Sequence, residues 1–243
     1  MNPSERDRLY ADPRDEIERF VFDERVAAVF GDMIVRSVPG YATIAAMTGI
    51  LARQHAVPGS RIYDLGCSLG AATAVMATSL EANQCDFIAV DKAPAMLERA
   101  REQFLARRLS GIRLICADIR DVVIERASVV VLNFTLQFLP VVERLTLLKR
   151  IRQGMLPGGV LILSEKIAGD SEEQEQLLVE LHEAFKLANG YSELEIAQKR
   201  AALEQVMLPE PVDIHRQRLD RAGFGRVDLW FQCFNFVSFL ARP

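Results

Sequence analysis

The sequence predicts an α/β fold, a mostly parallel sheet doubly wound by helices and extended by a C-terminal antiparallel strand pair. Three observations carry this. Between Ser60 and Glu165, five short apolar runs alternate with segments of helical period, the rhythm of strand–helix–strand units. The first run empties into a glycine-bearing loop, Asp64-Leu-Gly66-Cys-Ser-Leu-Gly70, that opens a helix. Polar side chains, Asp91, Asp118 and Asn133, close the next three runs, at the strand ends where ligands of such sheets sit.

The strands are expected at Arg61–Gly66, Asp86–Val90, Ile112–Ala117, Ser128–Asn133 and Val160–Glu165, each apolar enough to be covered on both faces. Helices are expected at Ala71–Leu80, Pro94–Arg107 and Val141–Arg152. In the second, Leu97, Ala100, Phe104 and Leu105 recur at helical spacing, and Pro94 suits a first turn because its missing amide proton is not needed there. Ahead of this core lie an amphipathic helix (Val26, Val29, Phe30, Met33, Ile34) and a second helix starting near Tyr41. After Lys166 come two more helices, with Ser171/Gln174 and Ser192/Glu195 each spaced as a reciprocal cap of exposed helix-start amides. The chain closes with a helix up to Phe224 and a strand pair turning near Cys233 to Asn235. One domain is expected: cap helices in 1–59, a nucleoside-binding core in 60–166, a helical insertion in 167–212 and a C-terminal helix and strand pair in 213–243.

Composition excludes several classes. The 243 residues are 50% hydrophobic and 26% charged, the balance of a folded globular chain rather than a disordered or fibrous one. A formal net charge of −4 and the interleaving of Arg107, Arg108, Arg216, Arg218 and Arg221 with acidic or apolar residues argue against direct nucleic-acid binding and read as solvated helix faces. The most apolar stretch, Val129 to Val142, is broken by Asn133, Thr135 and Gln137, so no membrane span is expected, and the charged N-terminus lacks a secretory signal. Cys67, Cys85, Cys116 and Cys233 lie far apart with no adjacent histidine, which offers neither a zinc site nor a disulfide framework. A cytoplasmic enzyme without a metal is the simplest expectation. His182 lies beside the apolar stripe Leu178, Leu181, Phe185, while His55 and His215 read as surface residues.

Chemistry concentrates in the first loop. Gly66 permits a tight turn and close ligand approach, and Gly70 is expected to ease packing of the helix on the sheet. Asp91 is placed to accept hydrogen bonds from two ribose hydroxyls, and Asp118 to meet a base edge. The loop reads GCSLGA and lacks the third glycine that lets a pyrophosphate approach. A ligand with a ribose and a carboxylate but no phosphate fits better.

This series resembles the class I S-adenosylmethionine-dependent methyltransferases, which have a Rossmann-like fold, from about Ser60 to the C-terminus. A narrower resemblance runs along nearly the whole chain. Ser37-Val-Pro-Gly-Tyr41, Asp64 to Thr73, Asn133-Phe-Thr-Leu-Gln-Phe-Leu139, Ala188-Asn-Gly-Tyr-Ser-Glu-Leu-Glu-Ile196 with Gln198-Lys-Arg200, and Leu229-Trp-Phe-Gln-Cys-Phe-Asn-Phe236 are similar to the carboxy-S-adenosyl-L-methionine synthases. The resemblance implies carboxylation of the methyl group of S-adenosylmethionine, with prephenate as carboxyl source and phenylpyruvate and water released. Prephenate loses carbon dioxide and hydroxide as its ring becomes aromatic, and the deprotonated sulfonium methyl captures the carbon dioxide. A separate enzyme then uses the product to build a 5-oxyacetyl group on tRNA wobble uridine. A homodimer is also implied.

Carried over residue by residue, the nucleoside contacts are Gly66, Cys67, Ser68, Asp91, Lys92, Asp118, Ile119 and Asn133, while Tyr41 and Arg200 hold the added carboxylate. Lys92 stands where the family pattern has Asn, which leaves a backbone contact intact but not a side-chain one. Taken without the resemblance, Tyr41 also reads as a core aromatic, Arg200 as a surface charge and Cys67 as a small packing residue. Lys166, following the fifth strand, is expected to meet a prephenate carboxylate. Two other readings compete: a conventional small-molecule methyltransferase, and a non-catalytic S-adenosylmethionine-binding module.

Overall fold

A computed structural model describes residues 6–80 and 84–243. Its sheet has seven strands: β1 (Arg61–Leu65), β2 (Asp86–Asp91), β3 (Ile112–Cys116), β4 (Ala127–Asn133), β5 (Met155–Lys166), β6 (Arg226–Cys233) and β7 (Phe236–Arg242). Their order is β3-β2-β1-β4-β5-β7-β6. The first five are parallel, and β7 runs antiparallel to both β5 and β6. Strand order reverses between β1 and β4, which opens a crevice at their carboxyl ends.

Strand alternation feeds two cores. Tyr63, Leu65, Val130, Leu132, Leu161 and Leu163 face one side and pack with α5 (Val141–Gly154) and α8 (Val212–Arg221). Ile62, Val129, Val131, Val160 and Ile162 face the other, against α2 (Tyr41–His55) and α3 (Ala71–Ser79). Val129 to Leu132 are completely buried, each contributing about 1.5–3 kcal/mol for a fully buried aliphatic side chain. Helix α4 (Pro94–Ala106) lies beside α3, with Ala100 and Phe104 against Ala74.

The remaining helices form the cap. Helix α1 (Glu24–Ser37) begins at Asp23, whose carboxylate accepts the Val26 amide, and it buries Val26, Val29 and Met33. Helices α6 (Glu172–Ala188) and α7 (Glu193–Glu204) occupy the insertion. Ser192 and Glu195 cap α7 reciprocally, as the spacing predicts. Ser171 accepts the Gln174 amide, but Gln174 turns to the Asp170 amide instead of Ser171, so α6 has only half the expected cap.

The structure corrects several readings. Strand β5 begins at Met155, ahead of the expected Val160, because Met155 pairs with Ala127 before the register resets at Val129 and Val160. His215 is buried, not superficial: it lies on Phe239, and both ring nitrogens lack partners among the described residues. Burial lowers its pKa to about 4, so the ring is neutral. Arg218 also leaves the solvated class and, with the fully buried Arg144, grips Glu210. A carboxylate recruited from before α8 thus offsets the desolvation of both guanidiniums in the interior.

Candidate functional site

The crevice is built by turns at the strand ends. At the end of β1, Gly66 has φ +82°, and a Cβ there would lie 2.3 Å from Thr135 Oγ1, so the loop closes only around glycine. Gly70 has φ +76°, and its added Cβ would strike Phe104 of α4. The packing it permits is therefore of helix on helix, not helix on sheet. Ser68 and Phe134 also adopt left-handed backbone, at φ 50° and 57°. Two such non-glycine residues beside one crevice store strain of about 1–3 kcal/mol each, a pattern that clusters at ligand sites.

The loop is held from beneath. Gly66 and Cys67 both donate to the Val90 carbonyl, at 2.8 and 2.9 Å. The Ser68 amide donates to Asp91 Oδ2 at 2.8 Å, and Ala93 donates to Oδ1 at 2.9 Å. Each carboxylate oxygen keeps a free acceptor direction, as a ribose diol requires. Burial raises the Asp91 pKa, partly countered by those amides. Asp64 is buried and accepts from Thr73 Oγ1 at 2.6 Å, and burial pushes its pKa up to about 6. Cys67 packs with Ala89 and Leu97, and burial drives its thiol well up, so it is a packing residue rather than a nucleophile.

At the far side, Asn133 Oδ1 accepts from Ser164 Oγ at 2.8 Å. Its amide NH2 has no partner among the described residues. Asp118 is not a free carboxylate. Arg120 forks onto it through Nε at 2.8 Å and a terminal nitrogen at 2.6 Å, which holds its pKa down at about 2. Ile119 is buried in the core. Lys92 is exposed.

Tyr41 starts α2 immediately above this crevice, packed with Val38, Phe134 and Phe236. Burial, followed by the charge of Asp64, pushes its pKa up to about 12. The phenol therefore stays protonated and can donate. Lys166 ends β5 and Arg200 lies on the cap helix α7; burial lowers the Lys166 pKa, and the charge of Arg200 acts in the same direction. Arg200 is held by Glu183 at 2.7 Å and Glu204 at 3.3 Å. No hydrogen bond joins it to Tyr41 among the described residues. Two features had escaped the sequence: Thr135, which meets Gly66, and Lys186 in the last turn of α6 beside Lys166. The first stands two residues after Asn133. The second gives no linear signal.

Comparison with known proteins fixes the family. A methyltransferase-domain model matches residues 62–159. Along 97% of both chains, this sequence is 59% identical to the carboxy-S-adenosyl-L-methionine synthase of Trichlorobacter lovleyi, and it is 53% identical to that of Vibrio cholerae over 99% of this chain and 98% of the other. The chain belongs to the carboxy-S-adenosyl-L-methionine synthase family. Carboxy-S-adenosyl-L-methionine synthases are enzymes, and this one is built on a class I methyltransferase fold. An O-methyltransferase family protein from Burkholderia thailandensis superposes with a TM-score of 0.66 at 16% identity, over 91% of this chain and 60% of that one. Human N-acetylserotonin methyltransferase does so at 0.60 and 18%, over 90% and 55%. These two share the fold.

The residues present fit S-adenosylmethionine: a glycine cradle closed by Thr135, a two-oxygen acceptor at Asp91 and no third glycine for a pyrophosphate. Among the described residues, no group of three His, Cys, Asp or Glu side chains is arranged to hold a metal ion. No single described helix is long and apolar enough to cross a membrane.

Proposed function

We propose that this enzyme transfers a carboxyl group from prephenate to the methyl carbon of S-adenosylmethionine, releasing phenylpyruvate and water. Carbon dioxide and hydroxide leave prephenate, the hydroxide accounts for the methyl proton as water, and the carbon dioxide is retained as the new carboxylate. The observation that carries the reading is the 59% identity, over 97% of both chains, to a carboxy-S-adenosyl-L-methionine synthase, and it is supported by the cation Arg200 on the cap helix α7. A cation near a sulfonium opposes an ordinary methyl donor. It favours a product that carries a carboxylate beside sulfur, and a dianionic co-substrate.

In this reading Gly66, Cys67 and Ser68 offer backbone to the amino-acid part of the nucleoside, Asp91 takes the ribose, and Asp118, Ile119 and Asn133 frame the adenosine. Lys92 contributes backbone. The protonated Tyr41 hydroxyl and the Arg200 guanidinium hold the new carboxylate. The crevice keeps reactants together and excludes water until capture. The enzyme works in the cytoplasm as a homodimer, without itself binding tRNA, and a separate enzyme spends the product on 5-oxyacetylation of wobble uridine.

The test is mass spectrometry of the nucleoside released on denaturing the protein after incubation with S-adenosylmethionine, with and without prephenate. A species heavier by one carboxylate, formed only with prephenate, is expected. Unmodified S-adenosylmethionine under both conditions would overturn the reading.

A further inference from the structure

Lys186 is only 8% exposed, yet among the described residues its ammonium has neither a hydrogen bond nor an ion pair. The ammonium of Lys166, at the end of β5, is likewise without a partner there; only its backbone amide is bonded, to Gln137. The fold brings the two lysines together: Lys166 pairs in register with Phe236, whose ring lies 5.0 Å from that of His182, and Lys186 stands one turn after His182 on α6. The neighbouring acids are already engaged. Glu183 and Glu204 are bound to Arg200 at 2.7 and 3.3 Å, and Glu175 accepts the Gly169 amide at 2.5 Å. Lys199, also close, is paired with Asp7 at 3.2 Å and Ser37 at 3.0 Å. His182 adds no charge: its Nε2 contacts the Ser37 carbonyl at 2.8 Å, and burial lowers its pKa to about 3.

Two partly desolvated ammoniums that make no ion pair of their own are stabilised by an anion that joins them. We propose that Lys166 and Lys186 form an anion seat for the side-chain carboxylate of the 2-oxo acid co-substrate, the carboxylate that survives in the aromatic product. The identity of the occupant rests on the carboxyl-transfer reading above. Chemistry selects between the two carboxylates of the donor. Fixing the departing one in an ion pair stabilises the ground state against its loss. Fixing the retained one anchors the molecule without that penalty and does not draw on Arg200, which the carboxyl-transfer reading assigns to the carboxylate formed at sulfur.

The seat has a readout besides turnover. Burial and the charge of Lys166 lower the Lys186 pKa to about 8, so an anion binding there at pH 8 draws in protons. Phenylpyruvate, the probe, is fully ionised at that pH. Calorimetric titration of the intact enzyme in buffers of different ionisation heat is expected to show proton uptake, and phenylpyruvate is expected to compete with prephenate. Lys186→Met and Lys166→Met should each raise the KM for prephenate and the phenylpyruvate inhibition constant at least tenfold, with S-adenosylmethionine affinity changed less than twofold. Binding without proton uptake, no binding, or a variant with both constants unchanged would overturn the seat. Failure of the unaltered enzyme to form a carboxylated nucleoside would instead overturn the carboxyl-transfer reading, and the proton uptake would still judge the seat.

Discussion

At the scale of single residues, burial sets the chemistry more than sequence neighbours do. Glu165 is fully buried beside Leu136, which donates its amide to Oε1 at 3.1 Å, while Oε2 has no partner. Desolvation pushes its pKa from 4.5 up to about 8, with Arg144 offsetting only part. A carboxyl whose folded pKa exceeds its unfolded value stabilises the fold fully below the unfolded value and loses that contribution as pH rises through the folded one. Asp64, raised from 3.8 to about 6, acts in the same direction over a lower window. His182 and His215, buried and neutral, act in the opposite direction below about pH 6.5, so melting temperature should fall from about pH 6.5 to pH 8. Glu165→Gln, which keeps the acceptor for Leu136, should flatten that fall; a melting curve parallel to that of the unaltered protein would refute this account. Gly66→Ala meets two obstacles, a left-handed φ costing about 1–2 kcal/mol and the Thr135 clash. At least a tenfold loss of S-adenosylmethionine affinity is expected by calorimetry, and unaltered binding would show that the loop has another way to close.

At the scale of elements, the fold was largely legible because period and punctuation are local. The alternation of Val129, Val131 against Val130, Leu132, the Pro94 start and the Ser192/Glu195 spacing each specify an element without reference to distant chain. Of the candidate site, the sequence made legible the placement of residues at strand ends, such as Gly66, Asp91 and Asn133, which the fold gathers at one crevice. The Arg120 fork onto Asp118 was not legible, because it is a matter of geometry within a turn. His215, Arg218 and Lys186 owe their burial to segments remote in sequence, and nothing in their own neighbourhood records it. Capping offers a direct contrast. Ser192 closes a reciprocal cap on α7, the helix of Lys199 and Arg200, whereas Ser171 makes a single bond on α6. Ser192→Ala should cost about 1–2 kcal/mol and Ser171→Ala about 0.5–1 kcal/mol, measured by urea unfolding. Equal losses would mean that the returning Glu195 bonds contribute nothing.

At the scale of the whole molecule, two kinds of cohesion meet. The sheet and its flanking helices are joined by apolar burial, and the cap adds buried polar groups to an apolar cluster of its own. Asp7 accepts from Lys199 at 3.2 Å and from the Tyr191 hydroxyl at 2.5 Å, and its amide donates to Asp32 at 2.8 Å. Arg36 lies 3.8 Å above the Tyr191 ring, pairs with Asp32 at 3.0 Å and donates to the Asn189 carbonyl at 2.7 Å. One network thus ties the N-terminal segment, α1, the end of α6 and α7, the elements that carry Lys186 and Arg200. Removing one charge strands the other, at about 3–5 kcal/mol. Asp7→Asn is expected to lose that much, Lys199→Met a comparable amount, and the double variant much less than their sum, because its interior holds no orphaned charge. The loss should also be local: hydrogen exchange in Asp7→Asn should rise first in α6 and α7, with β1 and β4 amides still protected. Additive losses in urea, or exchange rising evenly through the sheet, would mean that the cap is held by its apolar contacts and that the ion pair is incidental. Coupled and local losses would instead make the Asp7–Lys199 pair the clasp that holds Arg200 and Lys186 in place beside the crevice.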